Sequence, residues 1–271
     1  MIRLGVCGWP VAHSRSPQMH GAALRACGLR NWHYLRLPLP PELFAETVAA
    51  LPAAGFRGVN VTIPHKEAAL ALADEASEAA REIGAANTLT FEDGRILAEN
   101  TDAPGFLDAL PAGRDLRGAR ALVLGAGGSA RAVVWALRQA GAAEVLVWNR
   151  TPERAEALAA ALGARAVAAS GPLEAPEVVV NCTSVGLAGE LAPFKALPLR
   201  ADDLGAGSLV VDLVYRDGGT RLLEAARTRG ADVVDGLEIL VAQGAASFER
   251  WTGKVAPRTV MREAAGNSFS T

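Results

Sequence analysis

The stretch "NVTIPHK", Asn60 to Lys66, ends an apolar, strand-like run on a lysine in a chain that otherwise avoids lysine. Of 27 basic residues only Lys66, Lys195 and Lys254 are lysines, so arginine carries the other 24 positive charges. A guanidinium keeps its proton in a protein, whereas an ammonium releases it when burial or a neighbour shifts its pKa. A lysine kept against that bias suits proton transfer. The plain alternative is a surface lysine opening the helix that "HKEAALALADEA" suggests.

A second chemical signal is "ALVLGAGGSARAVVWAL", which gives G-x-G-x-x-A at Gly125, Gly127 and Ala130, directly after an apolar run and directly before a helical pattern. Glycines there permit a tight turn and the close approach of a pyrophosphate, whose charge meets the amides and dipole of a helix N-terminus. Without those flanks the same glycines would read as a strand–helix turn. The next strand, "EVLVWNRTPER", ends on Asn149, Arg150 and Thr151, with Arg154 a short step on, where an NAD enzyme carries an acidic residue. Arginine at that place suits a 2′-phosphate and hence NADP, against the alternative of a solvated arginine pair at a helix start.

Five of the seven asparagines, Asn60, Asn87, Asn100, Asn149 and Asn181, fall near predicted strand ends. Ligands of α/β sheets bind at the carboxyl ends of strands, so "GVNVTIPHK", "AANTL" and "ENTDAPGF" would converge polar groups on one cleft. Each of these asparagines alone could be a turn former.

The elements that must position these groups alternate. "IRLGVCG", "HYLRLPL" and "GVNVTIP" read as strands, with "SPQMHGAALRACG" and "PELFAETVAALPAAG" as the helices between, an arrangement of parallel βαβ units. "NTLTFEDGRILAENTD" reads as two strands joined by a turn at Glu92–Gly94. The alternation restarts at the glycine motif and runs through "AEVLVWNR", "PEVVVNCTS", "GSLVVDLVY" and "ADVVDG" as a separate doubly wound sheet. The boundary is expected near Pro104–Gly105, giving a first domain of residues 1–104 joined by 237–271 and a second of 105–236. The helical segment from "LEILVAQGAASFERWTG" would return to the first domain, and the final "GNSFST" would fray. Gly105 and Gly236 are expected to serve as hinges at the two crossings, allowing the domains to close on their ligands.

With 271 residues, a net charge of −2 and a pI near 6.1, the chain has a composition suited to two globular domains. That balance excludes the basic footprint of a nucleic-acid binder and a polybasic membrane surface. A small-molecule partner is the remaining default. The N-terminal apolar run is too short for a signal peptide and no stretch is long enough for a membrane span, so a cytoplasmic location is expected. Cys7, Cys27 and Cys182 lack metal or redox spacing and read as buried packing residues. Trp9, Trp135, Trp148 and Trp251 also read as packing, and His13 and His20 as polar support for the loop carrying Ser14 and Ser16. No metal is expected.

Taken in order, "GWPVAHSRSPQMH", "NVTIPHK", "GAANTL", "ENTDAPGF", "LGAGGSARAV", "WNRT", "NCTSVGL", "VVDLVY" and "DGLEILVAQGAASFERWTG" resemble the successive signatures of the shikimate dehydrogenase family. The resemblance implies a substrate domain followed by a Rossmann-type NADP domain, and a reversible NADPH-dependent reduction of 3-dehydroshikimate to shikimate in aromatic amino-acid biosynthesis. It further implies that Ser14 and Ser16 hold the substrate carboxylate, and that Thr62, Asn87, Asp102, Tyr215 and Gln243 hold its hydroxyls and ring. Lys66 would transfer the proton, paired with Asp102. Gly125, Ala126, Gly127, Gly128, Ser129 and Ala130 would bind the pyrophosphate, and Asn149, Arg150, Thr151 and Arg154 the 2′-phosphate. Leu213 and Gly236 would lie by the nicotinamide, and Glu78 matches a further cofactor-side position.

The chemistry asks for the same residue types independently, because hydride arriving at a carbonyl carbon builds charge on oxygen that an ammonium stabilises and protonates. Asp102 read alone would be a salt-bridge partner of Lys66. Gly21, Ala103 and Leu187 depart from the family pattern without removing a group that the reaction needs. Two rivals remain: a dehydrogenase of quinate or another cyclic hydroxy acid, and a catalytically silent NADP-binding regulator. A monomer or a homodimer is compatible with the sequence.

Overall fold

The computed structural model describes residues 1–168, 176–187 and 193–266, and the chain divides into two compact units, Met1–Gly105 with Leu240–Thr271, and Phe106–Ile239. Of the tail expected to fray, 266–271, Gly266 is helical and 267–271 lie outside the described residues.

The first unit begins β1 (Ile2–Gly8), α1 (Ser16–Ala26), β2 (Trp32–Pro38), α2 (Phe44–Ala50), β3 (Phe56–Val61) and α3 (Lys66–Leu72). It continues with β4 (Glu75–Ala76), α4 (Glu78–Ile83), β5 (Thr88–Glu92), β6 (Arg95–Glu99) and α5 (Asp102–Asp108). Its sheet has the order β2-β1-β3-β5-β6-β4, with β1, β2 and β3 parallel and β5 antiparallel to both β3 and β6. The sheet is therefore mixed, since Asp93 (φ 50°) and Gly94 (φ 75°) turn β5 straight back into β6. That reversal has a consequence for the asparagines. Asn87 stands at the start of β5, yet the antiparallel pairing of Asn60 with Thr88 puts it beside the carboxyl end of β3. The helix expected from "HKEAALALADEA" stops at Leu72, because Asp74 N donates to Ile96 O (2.9 Å) while the Asp74 carboxylate accepts the Ile96 N–H (2.7 Å), which draws Glu75–Ala76 onto β6 as an edge strand. Phe44, Val48, Val59 and Leu89 form the centre of this unit's core.

The second unit holds β7 (Arg120–Leu124), α6 (Gly128–Gln139), β8 (Glu144–Trp148), α7 (Pro152–Leu162), β9 (Arg165–Ala166) and β10 (Val178–Asn181). These are followed by α8 (Pro193–Ala196), β11 (Leu209–Asp212), α9 (Arg221–Thr228) and β12 (Asp232–Asp235). Every pairing is parallel, in the order β12-β11-β10-β7-β8-β9. Read from β9, this is the doubly wound arrangement whose strand order reverses beside its first strand, here β7. The valine run of β10 is wholly buried, as a strand covered on both faces must be.

The last two helices are α10 (Gly236–Thr252) and α11 (Arg258–Gly266); α11 packs on α1, where Arg15 donates to Ala265 O at 2.8 Å. Both passages between the units fall inside helices, at Gly105/Phe106 in α5 and Ile239/Leu240 in α10. Gly105 and Gly236 are both closely packed. A Cβ on Gly105 would fall 2.7 Å from Gln243 N and 2.9 Å from its Cα, and one on Gly236 would fall 2.4 Å from Leu213 O. Both are glycines because backbone meets backbone there. Gly105→Ala gains about 1 kcal/mol in helix propensity but forces α5 off α10, an overpacking cost of about 2–3 kcal/mol. We expect a melting temperature lower by roughly 2–8 °C in a thermal unfolding scan. An unchanged or raised Tm would show that the Gly105–Gln243 approach leaves room for a methyl group.

Among the described residues no helix is long and apolar enough to cross a membrane.

Candidate functional site

In the first unit, Lys66 opens α3 and is fixed from both sides along the chain. His65 N–H donates to Thr62 O (3.0 Å), its ring stacks on Phe44 (4.3 Å), and its Nε2 donates to Leu39 O (2.7 Å). The Lys66 carbonyl accepts from Ala86 N (2.9 Å), which ties the helix start to the segment leading into Asn87. The Lys66 ammonium lies 2.5 Å from Asp102 Oδ2, with side chains 9% and 15% exposed. A nearly buried ion pair has to have its remaining lone pairs met to hold its geometry. Asn87 meets this requirement, its Nδ2 lying 2.9 Å from Asp102 Oδ1, 2.9 Å from Thr101 Oγ1 and 3.2 Å from Gln243 Oε1. The Asn87 Oδ1 in turn accepts from Thr101 N (2.7 Å), which fixes which way the amide points.

Lys66, Asp102, Asn87 and Gln243 are thus joined in one chain of contacts. Ser14 and Ser16, both buried, are linked at the start of α1 by Ser16 N donating to Ser14 Oγ (3.3 Å). Thr62, half-buried, follows β3, the neighbour of β1, and its methyl group packs where any Cβ on Gly8 would sit. Glu78 is exposed on the first turn of α4 and is the one expected cofactor residue in this unit.

Other expectations are corrected here. His20 is fully buried and both ring nitrogens lack a hydrogen-bond partner. Rather than supporting the serine loop by polar contact, it stacks on Tyr34 at 4.3 Å beside Phe248 and Trp251, and burial lowers its pKa to about 3. A neutral imidazole here behaves as an aromatic. His13 is exposed, and its pKa is lowered by partial burial and by Arg36. Trp9 is 48% exposed and is no core residue, whereas Trp251 is buried and donates to Leu89 O (3.2 Å). Cys7 is buried, which pushes its thiol up to about 12, but Cys27 and Cys182 are only partly covered.

The asparagines also divide. Asn60 is engaged inward, accepting from Tyr34 Oη (2.7 Å) and donating to Thr88 Oγ1 (3.2 Å) and Asn87 O (3.3 Å). Asn100 accepts from Ala103 N (3.1 Å) at the start of α5 and donates to Ala85 O (2.9 Å). Both serve as scaffold for Asn87 and Asp102. Sequence reasoning missed Tyr34, Thr88 and Thr101 in this role; the threonines beside Asn87 and Asn100 were the available signal.

In the second unit the glycine turn follows β7. Gly125 has φ 109°, donates to Trp148 O (2.7 Å), and leaves only 3.1 Å between a hypothetical Cβ and Cys182 O. Gly127 caps α6, and a Cβ there would meet nothing within 4 Å, so its backbone presents an open face. Gly128 and Ser129 form the first turn, which carries no acidic residue, and Ala126 and Ala130 are buried beneath. This cradle, at a helix N-terminus with no acidic residue in its first turn, fits a pyrophosphate. At the end of β8, Asn149 Nδ2 donates to Thr151 O (2.9 Å), and Arg150, Thr151 and Arg154 are exposed around the start of α7. These residues fit a 2′-phosphate by charge and access.

Leu213 and Tyr215, both half-buried, follow β11. Leu213 N donates to Asn181 O (2.9 Å), and its carbonyl is the surface against which Gly236 packs. Asp212 closes the strand, fully buried. Loss of solvent raises its carboxyl to about 6 against the opposite pull of bonds from Thr220, Val214 and Asn181. Among the described residues no group of three or more His, Cys, Asp or Glu is arranged to hold a metal.

A doubly wound unit with a dinucleotide-type glycine turn at its strand switch point, and an α/β unit with a lysine–carboxylate pair, define a nucleotide-dependent oxidoreductase. Comparison with known proteins narrows the class. Residues 6–89 match the shikimate dehydrogenase substrate binding domain, 109–185 the shikimate / quinate 5-dehydrogenase model, and 236–265 the shikimate 5'-dehydrogenase C-terminal domain. The chain is 48% identical to shikimate dehydrogenase (NADP(+)) of Paracoccus denitrificans (92% of this chain, 90% of the relative). It is 49% identical to that of Thermus thermophilus (98% of each). A solved shikimate 5-dehydrogenase from another strain of Thermus thermophilus, in complex with NADP(H) and shikimate, matches 98% of each chain at 48% identity and a TM-score of 0.87. The chain belongs to the shikimate dehydrogenase family.

Proposed function

We propose that this chain is an NADP-dependent shikimate dehydrogenase that reversibly reduces 3-dehydroshikimate to shikimate, in the pathway to the aromatic amino acids. The observation that carries the reading is the Lys66–Asp102 pair at 2.5 Å, shielded from solvent and tied through Asn87 to Gln243. An ammonium held this way is a proton donor of fixed direction.

Residues 1–104 with 237–271 form the substrate domain and 105–236 the NADP domain. Ser14 and Ser16 bind the substrate carboxylate, and Thr62, Asn87, Asp102, Tyr215 and Gln243 its hydroxyls and ring. Asn149, Arg150, Thr151 and Arg154 hold the adenosine 2′-phosphate. Gly125, Ala126, Gly127, Gly128, Ser129 and Ala130 hold the pyrophosphate, with Leu213 and Gly236 beside the nicotinamide and Glu78 on the cofactor side. NADPH, when bound, supplies the hydride. Lys66 stabilises the charge developing on the C3 oxygen and delivers its proton there; in the oxidative direction it receives the hydroxyl proton as the base. Asp102 accepts from Lys66 on Oδ2 and from Asn87 on Oδ1, so its carboxylate is oriented before substrate arrives. Neutral Ser, Thr, Asn and Gln groups suit a polyhydroxylated ring better than further charges would. The enzyme is cytoplasmic, works as a monomer or homodimer, and has no nucleic-acid partner.

Reduction of NADP⁺ with shikimate and with quinate, followed side by side by NADPH absorbance, is the test. Turnover with shikimate well above quinate is expected. A preference for quinate would move the chain to the related cyclic-hydroxy-acid activity, and turnover with neither, despite NADP⁺ binding, would make it a silent binder.

A further inference from the structure

Asp212 is a buried carboxylate that the reaction above does not use, and its surroundings are built with more care than packing requires. Its Oδ1 accepts from Asn181 Nδ2 (2.8 Å) and Val214 N (3.1 Å), and its Oδ2 accepts from Thr220 Oγ1 (2.7 Å). Those three donors come from three places: the end of β10, the loop after β11, and the N-cap of α9, where Thr220 Oγ1 also accepts from Leu223 N. Asn181 continues the network, donating to Val185 O (3.1 Å) and accepting from Thr183 Oγ1 (2.7 Å). The same β10 loop abuts the glycine turn, since Cys182 N donates to Leu124 O (2.8 Å) and Cys182 O sets the closest approach to Gly125. One carboxylate therefore joins the loop beside the cofactor turn to the loop that carries Leu213 and Tyr215.

We propose that Asp212 is a positioning residue for the nicotinamide half of the bound cofactor: it clasps the loops after β10 and β11 so that Leu213 is held in place relative to the glycine turn of the same unit. The clasp rests on the dinucleotide reading given above. It requires two polar atoms at one point that can bond to Asn181, Val214 and Thr220, which a carboxylate supplies and an apolar residue does not. An asparagine keeps one oxygen for Asn181 and Val214 and can donate its amide to Thr220 Oγ1, so it preserves most of the arrangement. The adenosine end, held by residues after β8, lies outside the clasp.

These features separate positioning from a general loss of structure. In Asp212→Ala the KM for NADP⁺ rises and kcat with shikimate falls by about tenfold each, while the affinity for 2′,5′-ADP, a probe of the adenosine end alone, stays within about twofold. Asp212→Asn recovers most of both parameters. Thr220→Val removes a single arm and gives a shift of about threefold in the same direction, again without change in 2′,5′-ADP affinity. Wild-type kinetics in Asp212→Ala, or an equal loss of NADP⁺ and 2′,5′-ADP binding, would overturn the proposal. If Asp212→Ala does not fold, Thr220→Val decides by the same two criteria. Failure of the wild-type protein to oxidise shikimate would instead sink the proposed function. The clasp would then still be judged by whether the variants lose the extra affinity of NADP⁺ over 2′,5′-ADP.

Discussion

Lys66→Ala lowers kcat for shikimate oxidation by about 10²–10⁴-fold and leaves the KM for shikimate within a few-fold. The asymmetry follows from where the proton matters. In the ground state the substrate hydroxyl can be bound by Asn87, Asp102 and Gln243, which already hold one another in place. In the transition state the proton leaving that hydroxyl has to go somewhere, and the Lys66 side chain opposite Asp102, acting as the free amine, is the group that can take it up. Removing it leaves Asp102 without its cation, so the melting temperature is measured alongside. Lys66→Gln, which keeps a donor toward Asp102, separates the two effects: a variant folded as the wild type and still slow assigns the loss to proton transfer. Near-native kcat in either variant would remove Lys66 from the mechanism.

The lysine was legible in the sequence because of composition: in a chain that uses arginine as its default cation, a lysine at a strand end stands out. The glycine turn was legible because both flanks are local, an apolar strand before and a helix after. The alternation of strand and helix gave the doubly wound sheet for the same reason, each element being specified by its own periodicity. What escaped reading depends on partners distant in sequence. Glu75–Ala76 has helical neighbours and becomes a strand only because Asp74 and β6 meet, 22 positions apart. A glycine that permits motion and one that permits close packing look identical in sequence, and the opposing backbone that lies close to Gly105 and Gly236 comes from residues distant along the chain.

Polar residues were misjudged in both directions. His20 reads as a polar loop residue, but its place in the aromatic group of Tyr34, Phe248 and Trp251 is created by α10 returning from more than 200 residues away. Asn60 reads as part of a ligand cleft, yet it turns inward to Tyr34 and Thr88 and serves the residues beside it. Asp212 gave a signal that went unused: an acidic residue inside "LVVDLVY" has to be either exposed or fully satisfied, and it is the latter.

Arg150→Ala raises the KM for NADP⁺ by about 10–100-fold and changes that for NAD⁺ by no more than about twofold. The adenosine ends of the two cofactors differ only in the 2′-phosphate, so a residue that pairs with that group discriminates between them and a residue that merely shapes the site does not. The strand ends here on Asn149, whose amide is turned to Thr151 O, and no carboxylate stands in the position where ribose hydroxyls would be held in an NAD enzyme. The following arginine is exposed at the start of α7, where its fork can meet two phosphate oxygens at once. A hydrogen bond between charged partners contributes about 1.5–3 kcal/mol, which sets the size of the expected loss. Arg154, one helical turn further on, shares the charge but begins from a different backbone position, so Arg154→Ala should give a smaller shift of the same sign. Raising ionic strength should narrow the difference between wild type and Arg150→Ala, because an exposed charge pair is screened over about 8–10 Å at physiological salt. Equal losses for both cofactors in Arg150→Ala, or no salt dependence of the difference, would make Arg150 a structural residue and leave the preference for NADP to be located elsewhere on the strand end.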